Sequence, residues 1–191
     1  MHGLRADERM IKMREVYKIN IAGCERELEK FAVSDKLDIA AFILFGDVEI
    51  TEKSAKELLK KVPEFDVILT PEAKSIPLAY EMSKQSGKKY VVARKGVKVY
   101  MGEPLKAEVL SITTQKPQTL YLGEDDVENI KGKKVLIVDD VISTGESLSA
   151  IIKLCDLAGG NLAASCAVLA EGDAAKRDDI IYLEPLPLFF K

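Results

Sequence analysis

The run Val135-Leu136-Ile137-Val138-Asp139-Asp140-Val141-Ile142-Ser143-Thr144-Gly145-Glu146-Ser147 constrains this chain more than any other stretch. Its four leading apolar residues, three of them β-branched, read as a strand buried on both faces, the kind that fills parallel sheets. Two carboxylates stand where that strand ends. A Ser-Thr-Gly turn follows, and Ser147 to Ala158 reads as a helix. Open α/β sheets bind ligands outside the carboxyl ends of their strands. The free N–H groups at a helix N-terminus attract anions. The segment therefore sets carboxylates, suited to sugar hydroxyls or a cation, beside a cradle for one phosphate. A ribose 5-phosphate needs that pair.

The remaining composition narrows the chemistry. A length of 191 residues suits one compact domain with room for a small appendage. The net charge of −3 argues against a broad nucleic-acid footprint. No apolar run reaches the length of a membrane span, and the charged start (Arg5, Asp7, Glu8, Arg9) lacks an apolar signal core. The expectation is a cytoplasmic protein that binds neither membrane nor nucleic acid. His2 is the single histidine, which removes Ser-His-Asp triads, Cys-His pairs and His-ligated zinc. The three cysteines, Cys24, Cys155 and Cys166, have no metal-ligand spacing. Cys155 and Cys166 sit in apolar stretches and read as core.

The pattern along the chain predicts a short helix over 4–15, a strand from Val16 to Ala22 and a hairpin partner from Arg26 to Val33. A strongly apolar strand from Leu37 to Phe45 should follow, closed by Gly46-Asp47. Thr51 is placed to cap a helix running from about Glu52 to Val62. Phe65 to Leu69 reads as a buried strand, and Thr70-Pro71-Glu72-Ala73-Lys74-Ser75 as a second strand-to-helix junction. A helix from Ile76 to Gln85 should stop at Gly87. Tyr90 to Ala93 is a third strand, followed by Arg94-Lys95-Gly96-Val97-Lys98. Val99 to Glu124 lacks helical periodicity and should hold two strands, Glu108 to Ile112 and Thr119 to Leu122, around a mobile loop. Leu162 to Leu169 and Ile180 to Leu183 read as the last strands. Strands alternating with helices from 65 to 170 imply a parallel sheet with covering helices, with the early strands before residue 47 partly outside it.

Val135 to Ser147 resembles the phosphoribosyl-diphosphate (PRPP) signature of the type I phosphoribosyltransferases: an apolar strand, two acids, two apolar residues, then a small residue, Thr and Gly. A similar Val-Leu-Ile-Val-Asp-Asp strand opens the receiver domains of two-component systems. There a full doubly wound fold follows it, and Asp140 of 191 leaves only 51 residues. The resemblance implies that Asp139 and Asp140 hold the ribose hydroxyls as the catalytic acids. It implies that Ser143, Thr144, Gly145, Glu146 and Ser147 line the 5′-phosphate, and that Val141 borders the base. Glu146 suits a dianion only if its backbone N–H binds while its carboxylate points away.

Two further segments fit the same family. The loop Glu72-Ala73-Lys74-Ser75 takes the place where its members touch pyrophosphate through backbone amides and one side chain, here Ala73 and Lys74. Arg94-Lys95-x-x-Lys98 resembles the basic segment of the adenine and xanthine enzymes, and would add three cations around a departing pyrophosphate. The adenine enzymes' Ser-x-Glu-Tyr loop is not matched. Ser111-Ile112-Thr113-Thr114-Gln115-Lys116 carries no glutamate, and position 143 is Ser where hypoxanthine-guanine enzymes have Asp. Glu103 and Glu108 are the nearest loop carboxylates, and neither is a strong choice of base.

The resemblance implies an α/β fold, a mostly parallel sheet flanked by helices. A small hood would be built from residues 1–36, with Glu184 to Lys191 as a further contributor, over a core of residues 37–191. It implies a purine phosphoribosyltransferase, adenine favoured and hypoxanthine or xanthine allowed. Mg²⁺ would be carried by PRPP rather than by direct protein ligands, the loop over 96–118 would close on the site, and the protein would be a homodimer. The other readings are a non-catalytic PRPP or nucleotide sensor on the same fold, and a pyrimidine or orotate phosphoribosyltransferase.

Overall fold

The computed structural model describes residues 15–110 and 117–191. The helix expected over 4–15 and the loop segment Ser111 to Lys116 lie outside the described residues, apart from Glu15.

The first described element is an antiparallel hairpin, β1 (Val16–Ile21) and β2 (Cys24–Ser34). Its two turn residues, Ala22 and Gly23, have φ of 51° and 79°. A two-residue turn with both φ positive carries the twist that a hairpin needs, and glycine adopts it freely. β3 (Leu37–Ala40) pairs antiparallel with β2. The apolar strand expected from Leu37 to Phe45 is therefore only four residues long. It extends the hairpin sheet rather than the parallel one, so the division at 36/37 falls inside that antiparallel sheet.

Helix α1 (Val48–Lys61) starts earlier than Thr51 suggests. Asp47 is its cap: Ile50 N donates to Asp47 Oδ1 at 3.2 Å. Thr51 turns its hydroxyl back to Asp47 O at 2.7 Å. Aspartate is the stronger cap of the two, and Arg26 fixes it from β2 with a 2.6 Å contact from Nε to Asp47 Oδ2.

β4 (Val67–Pro71), α2 (Ile76–Ser86) and β5 (Lys89–Ala93) follow, with Gly87 at φ 71° ending α2. β6 (Leu105–Leu110) and β7 (Pro117–Leu122) form a second antiparallel hairpin. The short helix α3 (Glu124–Ile130), not expected from the sequence, comes next. It has seven residues, and its first turn holds Glu124, Asp125 and Asp126, a favourable charge for a helix start but a poor apolar signal.

β8 (Lys134–Ile142), α4 (Glu146–Leu157), β9 (Asn161–Glu171), the 3₁₀ turn Gly172–Lys176 and β10 (Ile181–Leu186) complete the core. β11 (Phe189–Phe190) returns to pair with β3, so the chain's last strand joins the hairpin sheet. The parallel sheet has the order β10-β9-β8-β4-β5. Pro185 lies in β10, an edge strand, where its missing N–H costs no ladder bond.

β8 shows why its apolar run has no polar gaps. Val135 and Ile137 pack with Leu148, Ile151 and Leu154 of α4. Leu136 and Val138 pack on the other face with Leu58 of α1 and Leu78 and Met82 of α2. A strand covered by helices on both faces must be apolar at odd and even positions alike. Among the described residues, no helix is long and apolar enough to cross a membrane.

Candidate active site

The carboxyl ends of β8, β4 and β5 are neighbours, and each delivers one of the segments singled out in the sequence. β8 continues through both acids to Ile142, because β9 runs beside it: Asp139 pairs with Ala167 and Val141 with Leu169. Ser143 to Gly145 form the turn, and Gly145 takes φ 83° to start α4 at Glu146. A side chain at that φ is strained. Ser149 closes the first turn, donating its hydroxyl to Gly145 O at 2.9 Å. Val141 is partly buried and packs with the cluster that holds Leu136 and Val138.

The acids are unequal. Asp140 N donates to Asp139 Oδ1 at 2.9 Å. Burial, and then the charge of Asp140 beside it, hold the Asp139 carboxyl well above the usual carboxylate range, with Lys74 opposing. The Asp140 side chain is 8% exposed. Its Oδ2 is buried without a hydrogen bond. A buried oxygen in that state is set to accept from something else.

Lys74 supplies its nearest cation, with Nζ 3.6 Å from Asp140 Oδ2. The end of β4 brings it there. Thr70, fully buried, places its hydroxyl 2.8 Å from Val138 O and 2.8 Å from Ser75 Oγ, and Ser75 donates to Pro71 O at 3.0 Å. These bonds stitch β4 to β8 one residue before the acids. Ala73 follows a cis Glu72–Ala73 peptide bond and is exposed.

β5 delivers Arg94 and Lys95. Arg94 is bonded through its backbone to Tyr121 in both directions, at 2.9 and 2.8 Å. Glu72 ties the loops together: its N–H donates to Ala93 O at 2.9 Å, and its Oε2 accepts from Lys95 N at 2.9 Å. Arg94 Nε is 3.5 Å from the same Glu72 oxygen and makes no hydrogen bond. Lys98 is not drawn into this group. Its N–H meets Met101 Sδ at 3.2 Å, in a turn closed by Met101 N on Lys98 O at 3.0 Å.

As expected, two strands occupy this region, β6 and β7, and their hairpin packs on α4 through Ala107, Leu120 and Leu122. Lys153 Nζ reaches Glu108 O at 3.2 Å. The Glu108 carboxylate pairs with Lys106, and Glu103 N donates to Glu124. Two residues of the site were not given roles by the sequence, Thr70 and Glu72. A lone hydroxyl at the end of the apolar run Val67-Ile68-Leu69 was the available signal for Thr70. Glu72 carried none, since its partners arrive from another strand.

Acids, a hydroxyl-glycine turn and a basic loop meet at the carboxyl edge of one parallel sheet, where open α/β proteins bind their ligands. The chain belongs to the phosphoribosyl transferase domain family, which it matches over residues 47–186. It is 37% identical over 122 residues to the adenine phosphoribosyltransferase of Thermotoga sp. (strain RQ2), 64% of each chain. It thus spans just under two thirds of that relative's length. It is 39% identical over 135 residues to the hypoxanthine/guanine phosphoribosyltransferase of Methanococcus voltae, 70% of this chain and 68% of that one. The crystal structure of the adenine phosphoribosyltransferase from Thermoanaerobacter pseudethanolicus shares the fold, with a TM-score of 0.64 at 22% identity over 90% of this chain and 95% of that one.

Proposed function

We propose that the protein is a PRPP-dependent phosphoribosyltransferase that transfers ribose 5-phosphate to a purine base, releasing pyrophosphate and a nucleoside monophosphate for purine salvage. The observation that carries this reading is the approach of Lys74 to the buried, unbonded oxygen of Asp140. It joins a pyrophosphate loop to a ribose acid from a distant part of the chain.

Breaking the C1–O bond builds positive charge on the ribose and negative charge on pyrophosphate. Asp140, buried and with Oδ2 unbonded, sits for the first. Asp139, held toward its protonated form, is suited to donate to a ribose oxygen. Lys74, Arg94, Lys95 and the Ala73 amide face the second, with Lys98 further out. Ser143, Thr144, Gly145, Glu146 and Ser147 take the 5′-phosphate on the α4 N-terminus, and Val141 borders the base. The chain's contribution is placement and electrostatics. Mg²⁺ would be carried by the oxygens of PRPP rather than by direct protein ligands, and would supply charge neutralisation beside the Asp139–Asp140 pair.

Adenine is the favoured base, with hypoxanthine and xanthine as alternatives. The proposal includes a homodimer, which sedimentation equilibrium tests. Incubation with PRPP, Mg²⁺ and each of adenine, hypoxanthine, guanine, xanthine, uracil and orotate, with pyrophosphate release measured, tests the activity. Release with a purine alone supports the proposal. Release with uracil or orotate alone moves it to pyrimidines. Silence across the panel with PRPP still bound replaces catalysis with sensing.

A further inference from the structure

A cation that the sequence reading left aside lies against the phosphate turn. Arg177 follows the 3₁₀ turn Gly172–Lys176 that leaves β9. Its guanidinium is held in a two-pronged pair with Asp179, Nε to Oδ1 at 2.8 Å and Nη2 to Oδ2 at 2.6 Å. That pair uses one edge of the guanidinium plane. The remaining nitrogen, Nη1, reaches the turn before α4: a β-carbon at Gly145 would stand 2.6 Å from it. Glycine at 145 thus answers two demands, a φ of 83° and the space that the Arg177 head occupies.

The turn needs such a group. Ser143, Thr144, Gly145, Glu146 and Ser147 contain hydroxyls, one acid and no cation. Backbone N–H groups and hydroxyls alone would leave much of a phosphate dianion's charge uncompensated. Lys74 and Arg94 serve the far end of the substrate. A guanidinium fixed by a carboxylate keeps its plane and its charge, and the donors left over are aimed in advance.

Resting on the PRPP reading above, we propose that Arg177 is a binding residue of the 5′-phosphate subsite, donating from Nη1 to a phosphate seated over Gly145. Asp179 is its positioning residue.

The test is calorimetric titration of ribose 5-phosphate, and separately of inorganic pyrophosphate, into the wild-type protein and the R177Q, R177K and D179N variants, with thermal unfolding of each. R177Q should weaken ribose 5-phosphate by about tenfold or more while pyrophosphate affinity stays within about twofold, since one charge-assisted contact is removed from one subsite. R177K should recover part of the loss. D179N should lose less than R177Q, because the charge remains and only its aim is relaxed. Unchanged ribose 5-phosphate binding by R177Q overturns the proposal. So does an equal loss of both ligands, which marks a merely structural side chain. Failure of the wild-type protein to bind either ribose 5-phosphate or PRPP overturns the underlying reading, and this inference with it.

Discussion

Lys74 Nζ stands 3.6 Å from Asp140 Oδ2, a mostly exposed cation against a carboxylate that is 8% exposed. The pair joins the loop after β4 to the acids at the end of β8, so under the proposed function Lys74 has a partner whether or not pyrophosphate is present. Lys74→Met should raise the KM for PRPP by about tenfold or more by removing a charge from the pyrophosphate side. The effect on stability should stay below about 1 kcal/mol, because the lysine end of the pair is solvated. Steady-state kinetics and urea unfolding check both. An unchanged KM contradicts the role.

Asp139 makes the fold sensitive to pH in an unusual direction. Its carboxyl is shifted upward by burial and by Asp140. A group whose folded value is raised stabilises the fold fully below its unfolded value of about 3.9, and that stability is lost as pH rises through the folded value. Asp139→Asn removes the ionisation and keeps an oxygen to accept from Asp140 N. The variant should therefore gain stability over wild type as pH rises from about 4 to about 8. Thermal unfolding at both ends measures this, and a constant difference would contradict it.

Glu72 holds the basic segment that the proposed function assigns to pyrophosphate. Its carboxylate lies 3.5 Å from Arg94 Nε and accepts from Lys95 N. Glu72→Gln keeps an acceptor for the amide and removes the charge. Product inhibition by pyrophosphate should strengthen by roughly 1.5- to fivefold, the range of one surface charge contact. Weaker inhibition would show that Glu72 organises the loop rather than guarding it.

Thr70 holds β4 to β8 through Val138 O and Ser75 Oγ. Thr70→Val keeps the shape and strands a buried carbonyl, which should cost about 1–3 kcal/mol. Denaturant unfolding reads it directly, and a neutral variant would remove this tie from the account.

The layered fold was legible because helices on both faces force a gapless apolar strand, as Val135 to Val138 display. The acids and the Ser143–Gly145 turn were legible because chemistry compresses them into consecutive positions. What escaped depends on contacts between distant segments. The apolar run from Leu37 to Phe45 gave no sign that its strand would stop at Ala40, where the pairing with β2 ends. α3 starts on three acids, which favour the helix dipole while hiding its periodicity. Arg177 reads as one charge in the run Lys176-Arg177-Asp178-Asp179, and only the return of the chain past β9 sets it on Gly145.

The central claim, that the strand-end acids serve transfer from PRPP, is tested most directly by nucleotide formation from PRPP and the preferred purine in wild type and Asp140→Asn. The account predicts product with wild type, and a fall in kcat of about 10²–10³ in the variant with an unchanged unfolding temperature, the cost of removing one preorganised charge. Equal turnover by the two proteins would contradict it.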